Sequence, residues 1–402
     1  MKIEKLDYFG RGIVREKDKV VFVKNALEGE EVEVKIIKDK KKYREAEATV
    51  IEKESENRKD PICPYYFFCG GCMLMHMKDS YQRDFKRRKV EEILSRSLGE
   101  SIVVQAVVEA TPFYYRNKVT LHAEDGRIGF FESRTNQLIE IEKCFLLKDK
   151  INEIIARLRK YVKTEKGITK ITIKLGNQTN EVMVILEGSV KSYQEISNFA
   201  DVFIVNDKVL SDRKSIASFI GNKKYLVSRN SFFQVNEEVT KKLYDKIVSL
   251  VKENNASNVL DLYCGTGTIG IYISPYVKKV IGVEVVEDAI VDANKNKEIN
   301  NIPNVSFILG KVEDHLDVFK EDIDTVIVDP PRGGLKESVA DLLNQKKVKT
   351  IIYVSCDPIT LGRDLNHLST NYNIVEVTPF DMFPNTYHVE CVALLSLKNS
   401  VK

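Results

Sequence analysis

The sequence has no apolar run approaching the roughly 18 residues that a membrane-spanning helix requires. Its first residues, MKIEKLDYFG, lack the apolar h-region of a secretory signal. A cytoplasmic protein with no membrane partner is therefore expected. An excess of one charge is also missing. Lys and Arg number 62 against 59 Asp and Glu, a formal net charge of +3, too small to argue for a nucleic-acid partner by itself. No internal repeat or low-complexity tract is seen. Seven cysteines are an odd number, and a reducing compartment argues against a disulfide framework. They are read individually as ligands, nucleophiles or small core residues. With hydrophobic residues at 43% and charged ones at 30%, a disordered polymer is excluded. At about 150 residues per domain, 402 residues suggest two or three domains.

What charge there is falls unevenly. Segment 35–44 (KIIKDKKKYR) carries six Lys or Arg against one Asp, and segment 78–89 (KDSYQRDFKRRK) six against two. Both read equally well as solvated faces or as phosphate-gripping stretches. Residues 1–55 read as about five short strands punctuated by Gly10, Gly12 and Gly29, a pattern that suits a small barrel. ENRKDP at 56–61 reads as a linker. A helix is predicted from about Ser80, with Tyr81, Phe85, Val90, Ile93, Leu94 and Leu98 near one face and Arg and Lys opposite. A mixed α+β region follows, with strands near 102–108, 117–123, 170–175 and 181–186. From about 230 the texture changes. A helix capped by Asn236 precedes near-continuous apolar runs at 258–262, 280–283, 305–309, 325–328, 350–354, 374–377 and 391–397, alternating with helical patterns. This predicts a Rossmann-like, doubly wound, mostly parallel seven-stranded sheet. The expected domains are 1–55, 56–229 and 230–402, with the helix near 80–100 a candidate to pack with the last.

The first of these runs leads into VLDLYCGTGTIG, where Gly265, Gly267 and Gly270 let a strand turn tightly into a helix beside a ligand. Cys264 within it reads as a small packing residue. The next strand ends at Glu284, a carboxylate able to accept hydrogen bonds from both hydroxyls of a ribose. This much fits a nicotinamide site equally well. Further strands end in Asp329-Pro330-Pro331-Arg332 and Ser355-Cys356-Asp357-Pro358, at the carboxyl ends where such sheets place ligands. Asp329 alone would pass for a helix cap. Cys356 opens a helix, so its thiolate stands to gain from the helix dipole. A thiolate is what C5 methylation of a uracil demands. Addition at C6 makes C5 nucleophilic, and a carboxylate must then remove the C5 proton before the thiolate leaves. Glu390, in TYHVE before the last strand, is the available base.

Cys63-x5-Cys69-x2-Cys72 with a distant Cys144 forms a second constellation. Four thiolates suit zinc or a [4Fe–4S] cluster, and spacing does not decide between them. His76 is an alternative ligand or an ordinary histidine.

Taken in order, LDYFGRGIVR, CPYYFFCGGC, YRNKV, SFFQVN, LDLYCGTGTIG, VDPPRGG, YVSCDP and DMFPNTYHVE resemble the S-adenosylmethionine-dependent RNA uracil-5-methyltransferases, especially the 23S ribosomal RNA branch that carries an iron–sulfur cluster. The resemblance implies a TRAM-like RNA-binding barrel at residues 1–55. It implies Cys356 as nucleophile, Glu390 as proton acceptor, and Gln234, Tyr263, Glu284 and Asp329 as cofactor-site residues. It favours a closed, structural [4Fe–4S] cluster on Cys63, Cys69, Cys72 and Cys144. Thr268 stands where some relatives carry Asn and is not assigned as a ligand. The expected substrate is a uridine of structured RNA, foremost 23S ribosomal RNA, acted on by a monomer. Alternatives are methylation of the transfer-RNA T-loop uridine, RNA cytosine-5 methylation, or an RNA-binding module with a degenerate cofactor site.

Overall fold

The computed structural model describes residues 1–132, 135–315 and 322–398. Strands β1 (Lys5–Leu6), β2 (Gly12–Arg15), β3 (Val20–Lys24), β4 (Glu31–Asp39) and β5 (Tyr43–Lys53) form one sheet in the order β1-β2-β3-β5-β4. Alternation points Val21, Val23, Val32 and Ala46 inward, where they pack with Ile3 and Ala26. A bridge between Lys2 and Glu31 joins the two ends of the order, so the sheet curls into a small barrel. Arg58 ties the following segment to it by a two-pronged ion pair with the fully buried Glu30, at 2.5 and 2.6 Å.

Helix α1 (Asp79–Leu98) is stopped by Gly99 in the left-handed conformation, φ 72°. The expected apolar face is present but is not purely apolar: Lys86 and Lys89 are buried on it. Lys86 is fully enclosed because Asp381 receives its ammonium at 2.5 Å and the Phe383 carbonyl at 3.1 Å. Replacing one partner leaves the other charge buried and unpaired, a loss of about 3–5 kcal/mol. Lys86→Met is therefore expected to lower the denaturant midpoint clearly, and Lys86→Met with Asp381→Leu to recover most of it. Circular dichroism suits the measurement, since the chain contains no tryptophan.

The central sheet holds β6 (Lys118–Glu124), β7 (Arg127–Phe131), β8 (Leu138–Glu140), β9 (Ile168–Leu175), β10 (Val182–Gly188), β11 (Val202–Val205) and β12 (Lys208–Val209), in the order β12-β11-β10-β9-β6-β7-β8. Helices α2 (Asp149–Tyr161) and α3 (Gln194–Ser197) accompany it, and a hairpin of β13 (Ser215–Ile220) and β14 (Lys223–Ser228) follows. No strand forms at 102–108. That segment makes only single bridges, Val104 to Val377 and Val108 to Phe380, because its apolar residues seal the edge of the C-terminal sheet rather than build one of their own.

The C-terminal part begins with α4 (Glu237–Glu253), where the Asn236 side chain accepts from Val239 N as expected of a cap. It continues through β15 (Asn258–Leu262), α5 (Thr268–Ile273), β16 (Lys279–Glu284), α6 (Glu287–Ile299), β17 (Val305–Leu309), β18 (Thr325–Val328), α7 (Glu337–Lys346), β19 (Thr350–Ser355), α8 (Pro358–Leu368), β20 (Tyr372–Phe380) and β21 (Glu390–Leu397). The order is β17-β16-β15-β18-β19-β21-β20. The first five strands are parallel, and β21 inserts antiparallel to both its neighbours. Apolar clusters cover both faces. Val90 and Leu94 of α1 belong to one of them, so a helix far upstream completes this core.

Candidate active site

Where β15 ends, three alternate residues need backbone that bends left. Tyr263 has φ +62°, Gly265 +52° and Gly267 +75°. For a tyrosine that conformation is uncommon and strained. A Cβ on Gly265 would meet nothing within 4 Å, whereas one on Gly267 would lie 2.4 Å from the Phe307 ring. Gly265 thus leaves its face open to a ligand, and Gly267 lets α5 close onto the sheet. Glu284, at the end of β16, braces this turn. One of its oxygens accepts from Gly265 N at 3.1 Å, the other from Val285 N and Val286 N at 2.8 and 2.9 Å.

Gln234 reaches the same place from the central part of the chain. Its carbonyl accepts from Asn117 Nδ2 at 3.2 Å. The segment before it is pinned by the buried Lys174 of β9, which donates to the carbonyls of Ser228, Arg229 and Ser231 at 2.7–3.2 Å.

Cys356 and Glu390 are brought together by strand register. In the β19–β21 pairing Ser355 lies opposite Cys391. Continued by one residue, the antiparallel ladder sets Cys356 opposite Glu390, with side chains on the same face. Each group's charge acts on its surroundings here. Burial first, then the Glu390 and Asp329 carboxylates, push the Cys356 thiol up to about 11, against a downward pull from Arg332. Burial, then Asp329, lifts Glu390 to about 8, again opposed by Arg332. Burial alone raises Asp329 to about 7. The expected help from the α8 dipole does not make the thiol acidic. Asp357 occupies that helix end, accepting from Ile359 N and Thr360 N, and its charge also raises Cys356.

One cavity of about 720 Å³ is lined by Gln234, Tyr263, Glu284, Asp329, Cys356 and Glu390. All six side chains singled out in the sequence for the reaction and its cofactor therefore share one space, at the carboxyl ends of the parallel strands.

A second cavity, of about 450 Å³, is lined by Cys63, Cys69, Cys72 and Cys144 together with Arg116 and Lys118. The distant cysteine is delivered by a tight turn that Asn152 holds, accepting from Cys144 N at 2.9 Å and donating to the Cys144 and Leu147 carbonyls. Burial raises all four thiols, Cys144 to about 11. Arg116 Nε is buried without a hydrogen-bond partner. Among the described residues, no three His, Cys, Asp or Glu side chains are grouped closely enough to hold a single metal ion. His76 is fully buried with its Nδ1 2.6 Å from the Tyr66 hydroxyl, and burial lowers it to about 3.

The chain is 30% identical to the Pyrococcus abyssi tRNA (uracil-54, C5)-methyltransferase, solved in complex with S-adenosyl-L-homocysteine. The match spans 98% of this chain and 99% of that one, with a TM-score of 0.81. It is also 35% identical to an uncharacterized RNA methyltransferase of Clostridium acetobutylicum, over 98% of this chain and 95% of the relative. The chain belongs to the RNA uracil-5-methyltransferase family. A further uncharacterized RNA methyltransferase, from Bacillus cereus, is 35% identical over 98% of this chain and 96% of its own length. The family model "tRNA (Uracil-5-)-methyltransferase" matches residues 207–398, and that of the TRAM domain residues 1–49. The protein is an S-adenosylmethionine-dependent RNA methyltransferase, and among its described residues no helix is long and apolar enough to cross a membrane.

In this methyltransferase the cavity also contains residues that sequence reading did not assign, among them Tyr244, Thr268, Arg332 and His388. Thr268 meets the Tyr244 hydroxyl at 2.7 Å. His388 is lowered to about 4 by burial and by the charges of Arg332 and Lys89, which favours the neutral imidazole. Arg332 was visible in the DPPR motif. Its charge, which lowers both Cys356 and Glu390, needed the fold to be seen.

Proposed function

We propose that the enzyme methylates C5 of a specific uridine in structured RNA, foremost in 23S ribosomal RNA, through a covalent bond between Cys356 and C6. The observation that carries this reading is the shared cavity, with Cys356 and Glu390 across one strand register and the glycine turn beside them. The Cys356 sulfur adds to C6, and the ring electrons move to C5. C5 then takes the methyl group from the sulfonium, leaving S-adenosylhomocysteine. Glu390 removes the C5 proton, and the electron pair returns to expel the Cys356 thiolate. Gln234, Tyr263, Glu284 and Asp329 form the cofactor side of the cavity, Glu284 through its ribose contacts. The target base reaches this buried pair by leaving its stack. The test is a map of 5-methyluridine in RNA from cells with and without the protein. A site lost from 23S ribosomal RNA supports the proposal, and unchanged RNA overturns it. Loss from the transfer-RNA T-loop instead would favour a second reading, to which the Pyrococcus abyssi structure lends weight.

The four-cysteine cavity fits a [4Fe–4S] cluster on Cys63, Cys69, Cys72 and Cys144. A lone zinc would draw its sulfurs to about 3.8 Å from one another. A cubane spreads them further, and the cationic Arg116 and Lys118 on the wall balance its negative charge. With all four thiolates engaged the cluster would brace the loops structurally. Protein purified without oxygen is expected to contain about four irons and four labile sulfides per chain. Zinc with no sulfide would overturn the assignment.

A further inference from the structure

The turn between β1 and β2, Asp7-Tyr8-Phe9-Gly10-Arg11, faces away from the core of its own barrel. Asp7 organises it, accepting from Phe9 N at 2.9 Å, Arg11 N at 2.8 Å and Arg11 Nε at 2.7 Å. Gly10, at φ +79°, lies so close to the segment after the cysteines that a Cβ there would be 2.3 Å from Leu74. The turn is thus held rigidly against the rest of the molecule. Its two aromatic rings lie on Tyr387, with centroids 5.8 Å away for Tyr8 and 5.1 Å for Phe9. Tyr387 in turn lies 4.2 Å from His388, which lines the catalytic cavity. The Tyr8 hydroxyl reaches Asp357, the neighbour of Cys356, at 3.4 Å. A barrel turn therefore packs on residues that adjoin the cavity lining, one position from His388 and from Cys356.

There Phe9 keeps 43% of its surface exposed, while the Arg11 guanidinium, paired with Asp7 at 2.7 Å and largely covered, lies 5.3 Å from its ring centre and 4.6 Å from that of Phe22. An exposed aromatic ring close to the cavity is what an unstacked nucleotide binds, and Arg11, held by Asp7, supports that ring from the barrel side. Extruding a base leaves its neighbours without a stacking partner. We infer that Phe9, supported by Arg11, forms a stacking platform for the nucleotide adjacent to the target uridine, so that the barrel positions substrate beside the cavity instead of gripping phosphates at a distance.

The inference rests on the uridine-methylating reading, and its test separates the two. Substrate is unmodified total RNA from cells lacking the protein, with transfer of labelled methyl as readout. Phe9→Ala is expected to raise the KM for RNA by roughly 5- to 100-fold, the span of one lost base–aromatic stack. The KM for S-adenosylmethionine should not change. Phe9→Leu, which keeps apolar packing but offers no ring, should behave like Phe9→Ala, and Phe9→Trp should restore binding. An unchanged KM for RNA in Phe9→Ala, or wild-type behaviour of Phe9→Leu, would overturn the platform. Absence of any transfer by the wild type would overturn the activity itself and the platform with it.

Discussion

Cys356→Ala is expected to reduce methyl transfer by at least about 10⁴-fold, the scale on which enzymes lose turnover when a covalent nucleophile is removed. The size follows from the chemistry. C5 of an intact uracil does not attack a sulfonium, so no slower route through the same site takes over. The decisive form of the experiment uses RNA whose target carries 5-fluorouridine. Glu390 can accept a proton from C5, but fluorine does not leave as a cation, so the methylated ring stays bonded to sulfur. Wild-type enzyme should form a complex with this RNA that survives denaturing electrophoresis, and Cys356→Ala should form none. Adduct formation by the alanine variant at the wild-type level would refute the mechanism, because no other thiol lining that cavity is placed across from Glu390.

With Glu390→Gln the outcome is of a different kind. Addition and methyl transfer do not use the carboxylate, but release does. Turnover should fall by about 10²–10⁴-fold, the contribution of a positioned base, while a covalent complex accumulates on ordinary uridine-containing RNA without fluorine. The pH dependence carries a second signature. Below about 8 Glu390 is protonated, because burial and Asp329 raise it, and Cys356 stays a thiol until about 11. Addition needs the thiolate, so log kcat/KM should climb with a slope near one up to about pH 11, while release needs the Glu390 carboxylate, so log kcat should climb and then break near pH 8. In Glu390→Gln the rate of adduct formation should climb with a slope near one throughout. Arg332→Met removes the charge that lowers both groups, so the break should move to higher pH. A profile flat from pH 6 to 9 would contradict the assignment of both residues.

Much of the C-terminal sheet was legible because its central strands are buried on both faces and the strands read as short, mostly apolar runs. Those at 258–262, 305–309 and 325–328 coincide with β15, β17 and β18. Segment 102–108 misled for the same reason. Its valines signal burial but not which sheet buries them, and here they cap the edge of another. The lysines of α1 at 86 and 89 read as a wet face, since periodicity carries no information about an Asp381 some 300 positions away. Motif order pointed to the six residues of the cavity, yet the reason Cys356 and Glu390 meet is the antiparallel insertion of β21, which no local pattern encodes. The role of the Tyr8–Phe9 turn was equally hidden, because an exposed phenylalanine in a hairpin is unremarkable until its neighbours are known.

Helix α1 has a bearing on how the molecule is made. It leaves the ribosome early, while α8, whose Gly362 lies against Ser97 and Leu94 of α1, is synthesised near the end. At ~5–20 residues per second the helix waits for roughly tens of seconds with Val90 and Leu94 unprotected. The barrel at the N-terminus can close meanwhile, from local strand pairs alone. Its birth order thus leaves one sticky surface on a nascent chain that already holds a finished module, and shielding that surface until translation ends is a task for chaperones.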